Sequence, residues 1–322
     1  MAGVPLVRAV RSGLEESVHL GSVAVADADG RLVAMAGDPA RVAFARSSMK
    51  PLQAAVSLSL AGDELPDAEL AVMCASHSGE AVHVDAVRGL LAQGGFGVEA
   101  LRCPPALPAD PRLSASAHPR SEVHNCSGKH AGMLLACARR AYEPGSYVEA
   151  EHPVQRAVLA AVRRSAGEPR AIGVDGCGVP VHALALRELA TLYARLARPE
   201  RLEDLAPAAA RAVDAMRAEP YLVGGAGRVC TDVAKAVPGV VVKVGAEGLV
   251  CAAITGAGLG VAVKAEDGSA RAQAPAILHA LRLLGVLEPA HEEGLAPHAR
   301  PPLLGGGRVV GHLEPSFDLR RA

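Results

Sequence analysis

Short β-branched apolar runs at both ends of the chain enclose a long middle with helical periodicity. Residues 18–26 (Val18-His19-Leu20-Gly21-Ser22-Val23-Ala24-Val25-Ala26) and 31–36 flank Asp27-Ala28-Asp29-Gly30. An Asp-Gly turn between two such runs predicts a hairpin. From residue 47 to about 60 the apolar spacing becomes helical, with Pro51 where a first-turn proline is tolerated. Helices are expected over 67–75, 81–93, 127–140, 153–164, 186–196 and 205–217, and residues 103–119 read as a Pro-rich surface connection. Strands return at 239–244, 249–254 and 258–264, followed by a helix over 274–284 and a last strand near 307–313. The expected class is α+β: an antiparallel sheet that unites both ends of the chain and carries an inserted helical subdomain. The whole of residues 1–322 is read as one domain, with a sheet lobe at 1–60 and 225–322 and a mainly helical region at 61–224.

Composition narrows the partners. Charge is nearly balanced, with 33 basic and 34 acidic residues and no long run of one sign, which disfavours nucleic acid and anionic membranes. With no Trp, three Phe and four Tyr, the core must be built from Ala, Val and Leu, and base-stacking platforms lack their usual side chains. No apolar run approaches the roughly 20 residues that span a bilayer, and the N-terminal stretch lacks the apolar core of a secretory signal. Seven cysteines without a CxxC pair suit reduced thiols, so a cytoplasmic location is expected.

Lysine is scarce: five residues against 28 arginines. Three of the five sit in short, chemically mixed segments, and lysine, unlike arginine, can act as a neutral amine. Lys50 follows Ser47 by three positions, so a helix would put hydroxyl and amine on one face, as a serine nucleophile with a lysine base requires. The adjacent Ser48 is a rival nucleophile that faces elsewhere. An unperturbed lysine is only about 0.04% neutral near pH 7, so such a base needs burial or a neighbouring cation. Spacing alone is compatible with any Ser- and Lys-containing helix. Lys243, in Lys243-Val244-Gly245, ends a strand, while Ser76 lies in Ala75-Ser76-His77-Ser78 at a helix end; a solvated lysine and a capping serine would read the same way. Arg46 is a candidate for a substrate carboxylate or for an ion pair, and His77 for a substrate contact or a packed ring. Cys126, Lys129, Asp175 and Cys177 gather thiol, amine and carboxylate chemistry, although two cysteines 51 positions apart make a poor metal signature. No GxSxG elbow, HExxH or phosphate-binding P-loop is present.

Taken in order, five segments resemble one family: Ala45-Arg46-Ser47-Ser48-Met49-Lys50-Pro51, Met73-Cys74-Ala75-Ser76-His77-Ser78, Asn125-Cys126-Ser127-Gly128-Lys129-His130, Asp175-Gly176-Cys177-Gly178-Val179-Pro180 and Gly227-Arg228-Val229-Cys230-Thr231. The chain is similar to the rhizobial-type (class 3) L-asparaginases over roughly residues 5–310. That resemblance implies a fold like the serine β-lactamases, penicillin-binding proteins and glutaminases. It also implies a homodimer and hydrolysis of the side-chain amide of L-asparagine. It further implies a nucleophilic tandem of Ser47 and Lys50 and a second tandem of Ser76 and Lys243. Zinc on Cys126, Lys129 and Cys177, with Asp175 beside it, follows from the same resemblance. Glutaminase or other serine amidase activity, a β-lactam-directed activity, and a zinc-stabilised binding protein are the competing readings.

Overall fold

The computed structural model describes every residue except Met1, Ala2, Asp63 and the side chain of Pro111. Strands β1 (Val4–Arg11), β2 (Leu14–Asp27), β3 (Leu32–Ala36) and β4 (Val42–Phe44) lead through a 3-10 turn, Arg46–Met49, into helix α1 (Lys50–Ala61). Helices α2 (Asp67–Met73), α3 (Ala81–Gln93), α4 (Pro111–Ser114), α5 (Ser127–Arg140) and α6 (Pro153–Ser165) follow. Next come β5 (Ala171–Val174), β6 (Pro180–Ala185), α7 (Leu186–Ala197), α8 (Ala206–Ala218), α9 (Pro220–Gly224) and α10 (Val229–Ala236). The chain ends with β7 (Val240–Val244), β8 (Leu249–Ile254), β9 (Leu259–Ala265), α11 (Gln273–Leu283), α12 (Pro289–Gly294), α13 (Ala296–Ala299), β10 (Pro302–Gly305), β11 (Arg308–Pro315) and β12 (Arg320–Arg321).

Two units form. The first comprises residues 1–48, 184–198 and 232–322 and holds the large sheet, whose strands run β10-β11-β1-β2-β9-β8-β7, with β3 on β2 and β12 on β3. All of its strand pairs are antiparallel, and the termini meet as expected: Val7 lies opposite Pro315 and Arg11 opposite Gly311. Strand β2 changes character midway. Its first half, Leu14-Glu15-Glu16, is exposed beside β1, and its second half is buried from Gly21 to Ala26 between β3 and β9. The unbroken apolar run there reflects burial on both faces.

Helix α7 lies directly on this sheet. The pattern along the chain places 186–196 in the helical region, yet it belongs to the sheet unit, and Gly260 is the reason. A Cβ at Gly260 would stand 2.0 Å from the Ala190 carbonyl oxygen and 2.3 Å from the Ala194 nitrogen, so only glycine admits the helix backbone this close to β9.

The second unit comprises residues 49–183 and 199–231 and is mainly helical. Helix α1 packs on α5, α6 and α8, and α5 also contacts α2 and α3. The first three turns of α5, Ser127 to Cys137, are buried all round. Gly128 is needed at its start, because a Cβ there would meet the Val72 carbonyl oxygen at 2.1 Å. Strands β5 and β6, an antiparallel pair, fall in the stretch between the helices expected at 153–164 and 186–196, to which the sequence pattern assigns no element. No helix among the described residues is long and apolar enough to cross a membrane.

Burial makes His182 a source of pH sensitivity. Its pKa falls from 6.5 to about 4, chiefly by desolvation and secondarily by Arg163. The unfolded chain therefore binds a proton below pH 6.5 that the folded chain rejects, and stability is lost as pH falls from about 6.5 towards 4. At pH 5.5 this site should cost about 1.4 kcal/mol relative to neutral pH. Urea midpoints at pH 7.5 and 5.5 should show a smaller drop for His182→Asn than for the parent chain; equal drops would contradict this.

Candidate active site

Lys50 is the first residue of α1 and is wholly buried, at 0% exposure. The preceding 3-10 turn is closed by the Ser48 N–H bonding to the Ala45 carbonyl at 3.0 Å. The Lys50 amine donates to the Ala75 carbonyl at 2.5 Å, the Asn125 carbonyl at 3.1 Å and the Ser76 hydroxyl at 3.1 Å. All three partners can accept from the amine, and the Ser76 hydroxyl can also donate to it when it is neutral. Only one of them, the Ser76 hydroxyl, can itself pass a proton on. Ser76 is fixed in turn by its own N–H, which bonds to the Val223 carbonyl at 3.0 Å.

Ser47 is half-buried on the 3-10 turn, and its hydroxyl has no hydrogen-bond partner among the described residues. Lys50 is thus joined to Ser76 rather than to Ser47. Ser48, by contrast, is engaged: its hydroxyl donates to the Lys243 carbonyl at 3.2 Å, and its own carbonyl accepts from the buried Tyr193 hydroxyl at 2.7 Å. Lys243, fully buried on β7, donates its amine to the Val244 carbonyl at 3.0 Å and pairs across the sheet with Cys251. Burial pushes the Cys251 thiol up to about 12.

Arg46 carries a left-handed backbone (φ 46°) immediately before Ser47, and its guanidinium stands 4.0 Å from the Glu247 carboxylate. His77 is engaged on both ring nitrogens. Its Nδ1 accepts from the Gly79 N–H at 3.1 Å, and its Nε2 meets the Ser127 hydroxyl at 3.0 Å. Burial first, then the neighbouring His83 and Lys50, hold its pKa well below the usual imidazole value.

A family model described as L-asparaginase II matches residues 7–315. The chain belongs to the L-asparaginase II family. No curated protein matches it. Among solved structures it is similar to Mglu (18% identity, TM-score 0.46), covering 87% of this chain and 67% of that one. It is also similar to a β-lactamase from Mycobacterium bovis (18%, TM-score 0.44; 83% and 95% of the two chains). A third is a Bacillus subtilis glutaminase in covalent complex with 5-oxo-L-norleucine (12%, TM-score 0.45; 83% and 88%).

In this asparaginase-family chain Cys126, Lys129 and Cys177 come together in the helical unit. The Lys129 amine lies 3.1 Å from the Cys177 sulfur, and all three side chains are buried. The hydrogen bond from Cys177 holds the Cys126 thiol well below its ordinary pKa, while the same bond and burial raise Cys177. Burial opposes the Lys129 charge, yet Cys177, Cys126 and Asp175 raise its pKa overall. Asp175, half-buried, accepts from the Gly176 N–H at 2.9 Å. No group of three or more His, Cys, Asp or Glu side chains is arranged for a metal among the described residues. Two soft sulfurs and an amine in mutual reach are nonetheless a donor set that suits zinc once the proton on Lys129 is displaced. Membership in the family identifies the chain as an asparaginase-type enzyme and points to asparagine amide hydrolysis. The sequence pattern did not single out Asn125, Ala75 or Tyr193, whose contributions run through backbone carbonyls or to one.

Proposed function

We propose that the protein hydrolyses the side-chain amide of L-asparagine to L-aspartate and ammonia through an acyl-enzyme on Ser47. The observation that carries this is the buried Lys50 amine at the root of α1, bonded to Ser76 and three residues after an unengaged serine. Ser47 attacks the amide carbon, and its proton passes to the neutral amine of Lys50. The oxygen–carbon bond forms as the carbonyl π pair moves onto oxygen, and ammonia leaves with one added proton when that pair returns. Ser76 and Lys243, the second tandem implied by the resemblance, supply the proton to the departing nitrogen. Water then cleaves the ester and restores the Ser47 hydroxyl. Apo hydrogen bonds in such sites are often long or missing and tighten only on substrate binding. Arg46 is the candidate for the substrate α-carboxylate, and His77 and Asp175 remain candidates near it.

Ammonia release from L-asparagine and L-glutamine by the purified protein tests the reading. Turnover of asparagine with a higher kcat/KM than glutamine is expected. One methylene is worth about 1–3 kcal/mol, so a ratio of 10- to 200-fold is the scale. No turnover of either overturns it, and hydrolysis of a chromogenic β-lactam instead would favour the lactam-directed alternative.

Zinc belongs to the same proposal. Cys126, Lys129 and Cys177 would hold it, and it would supply a fixed positive charge there. Adding zinc to metal-free protein should raise Tm and release protons, with affinity falling as pH drops, and Cys177→Ala should abolish both responses. A homodimer and a reducing, cytoplasmic setting complete the proposal. All seven cysteines are buried and unbridged, which suits such a compartment. Sedimentation velocity at two concentrations checks the dimer.

A further inference from the structure

We infer that Glu247 binds the α-ammonium group of the substrate while Arg46 takes its α-carboxylate, so that these two residues together select an α-amino acid. The inference rests on the proposed hydrolysis of asparagine. Five non-glycine residues in the described structure have positive φ: Ser12, Arg46, Ala141, Glu203 and Glu247. Two of the five, Arg46 (φ 46°) and Glu247 (φ 58°), carry opposite charges and face each other at 4.0 Å.

The turn chemistry makes Glu247 conspicuous. The β7–β8 hairpin is closed by the Gly245 N–H on the Leu249 carbonyl at 2.7 Å, and its central residues Glu247 and Gly248 (φ 68°) are both left-handed. Such a turn favours Asn, Asp or Gly at both central positions. Gly248 obeys that preference. Glutamate at the first position is strained, and the strain is not repaid by packing, since the Glu247 side chain is 70% exposed. Backbone strain that local packing does not account for marks residues held for a ligand. The hairpin follows Lys243 directly, and Arg46 directly precedes Ser47, so both charges are covalently tied to the residues assigned to the chemistry.

The pair fits its ligand. An α-amino acid presents an ammonium and a carboxylate on one carbon, and a guanidinium and a carboxylate already facing one another offer the complementary order. At 4.0 Å, with the Glu247 side chain largely in solvent and that of Arg46 25% exposed, their mutual contact is long and opens to a zwitterion. The Glu247 carboxylate also acts on Lys264, whose charge it favours.

The experiment compares L-asparagine with succinamate, which has the same amide and carboxylate but no α-amino group, in the parent chain and in Glu247→Gln. Succinamate is followed as a substrate or, where turnover is too slow, as a competitive inhibitor. KM for asparagine should rise about 10- to 100-fold, the loss expected for a hydrogen bond to a charged group. The KM or KI for succinamate should stay within about twofold, given that it offers no ammonium to bind. A second variant, Glu247→Gly, should raise Tm by relieving the left-handed strain and still raise KM for asparagine. Equal effects on both compounds, or no effect on asparagine, overturn the role of Glu247 and leave the hydrolysis standing. A parent chain that releases no ammonia from asparagine overturns the hydrolysis and this inference with it.

Discussion

Ser47→Ala is expected to lower kcat for asparagine by about 10⁴-fold or more while leaving Tm within a degree or two, because removal of a nucleophile costs the whole covalent route. The hydroxyl has no hydrogen-bond partner among the described residues, so its loss leaves no polar group stranded. Ser48→Ala should behave in the opposite way. It removes the bond to the Lys243 carbonyl at 3.2 Å and should cost about 1 kcal/mol of stability with a far smaller loss of rate. Lys50→Arg adds a sharper comparison: arginine keeps the charge but cannot give up its proton in a protein, so activity should fall as far as in the serine variant. Progress curves and thermal melts on the same preparations check all three. Robust turnover by Ser47→Ala would move the nucleophile elsewhere.

Gly260→Ala is expected to be among the most destabilising single-methyl additions in the sheet unit. The new Cβ would sit 2.0 Å from the Ala190 carbonyl oxygen, 2.3 Å from the Ala194 nitrogen and 2.8 Å from the Tyr193 carbonyl carbon. All three are backbone atoms, so no rotamer change relieves the clash and α7 must lift from β9. Overpacking of this kind costs about 3 kcal/mol, and in a chain of this size that lowers Tm by roughly 4–5 °C. Activity should fall too, since Tyr193 holds the Ser48 carbonyl at 2.7 Å beside the proposed nucleophile. A Tm unchanged within a degree would mean that the helix yields easily and that its seating is not set by Gly260.

Elements with strong local punctuation were legible in the chain. The helices at 81–93 and 127–140 begin and end where the apolar period and the flanking glycine or polar residues place them. The hairpin about Asp29-Gly30 and the strands near 240–265 were equally plain, since β-branched runs there are bounded by glycine turns. Strands β5 and β6 were not legible. Ala171–Val174 is short and exposed, and Pro180–Ala185 carries apolar residues at almost every position, so neither shows a two-residue alternation. The brief helices α9 and α10 were missed for the same lack of length.

Motif chemistry placed lysines, serines and cysteines in the right segments, and the L-asparaginase II match over 7–315 bears out the family that those segments suggested. By itself the sequence determined the α+β class, the family and the residue types available for catalysis, because these follow from local pattern and side-chain identity. Only the tertiary structure decided that α7 joins the sheet, and that Lys50 rests on Ser76 and on the carbonyls of Ala75 and Asn125. Every residue owns a carbonyl, so which one meets a buried amine is settled by the packing of helices distant in sequence and by no feature of the residue itself.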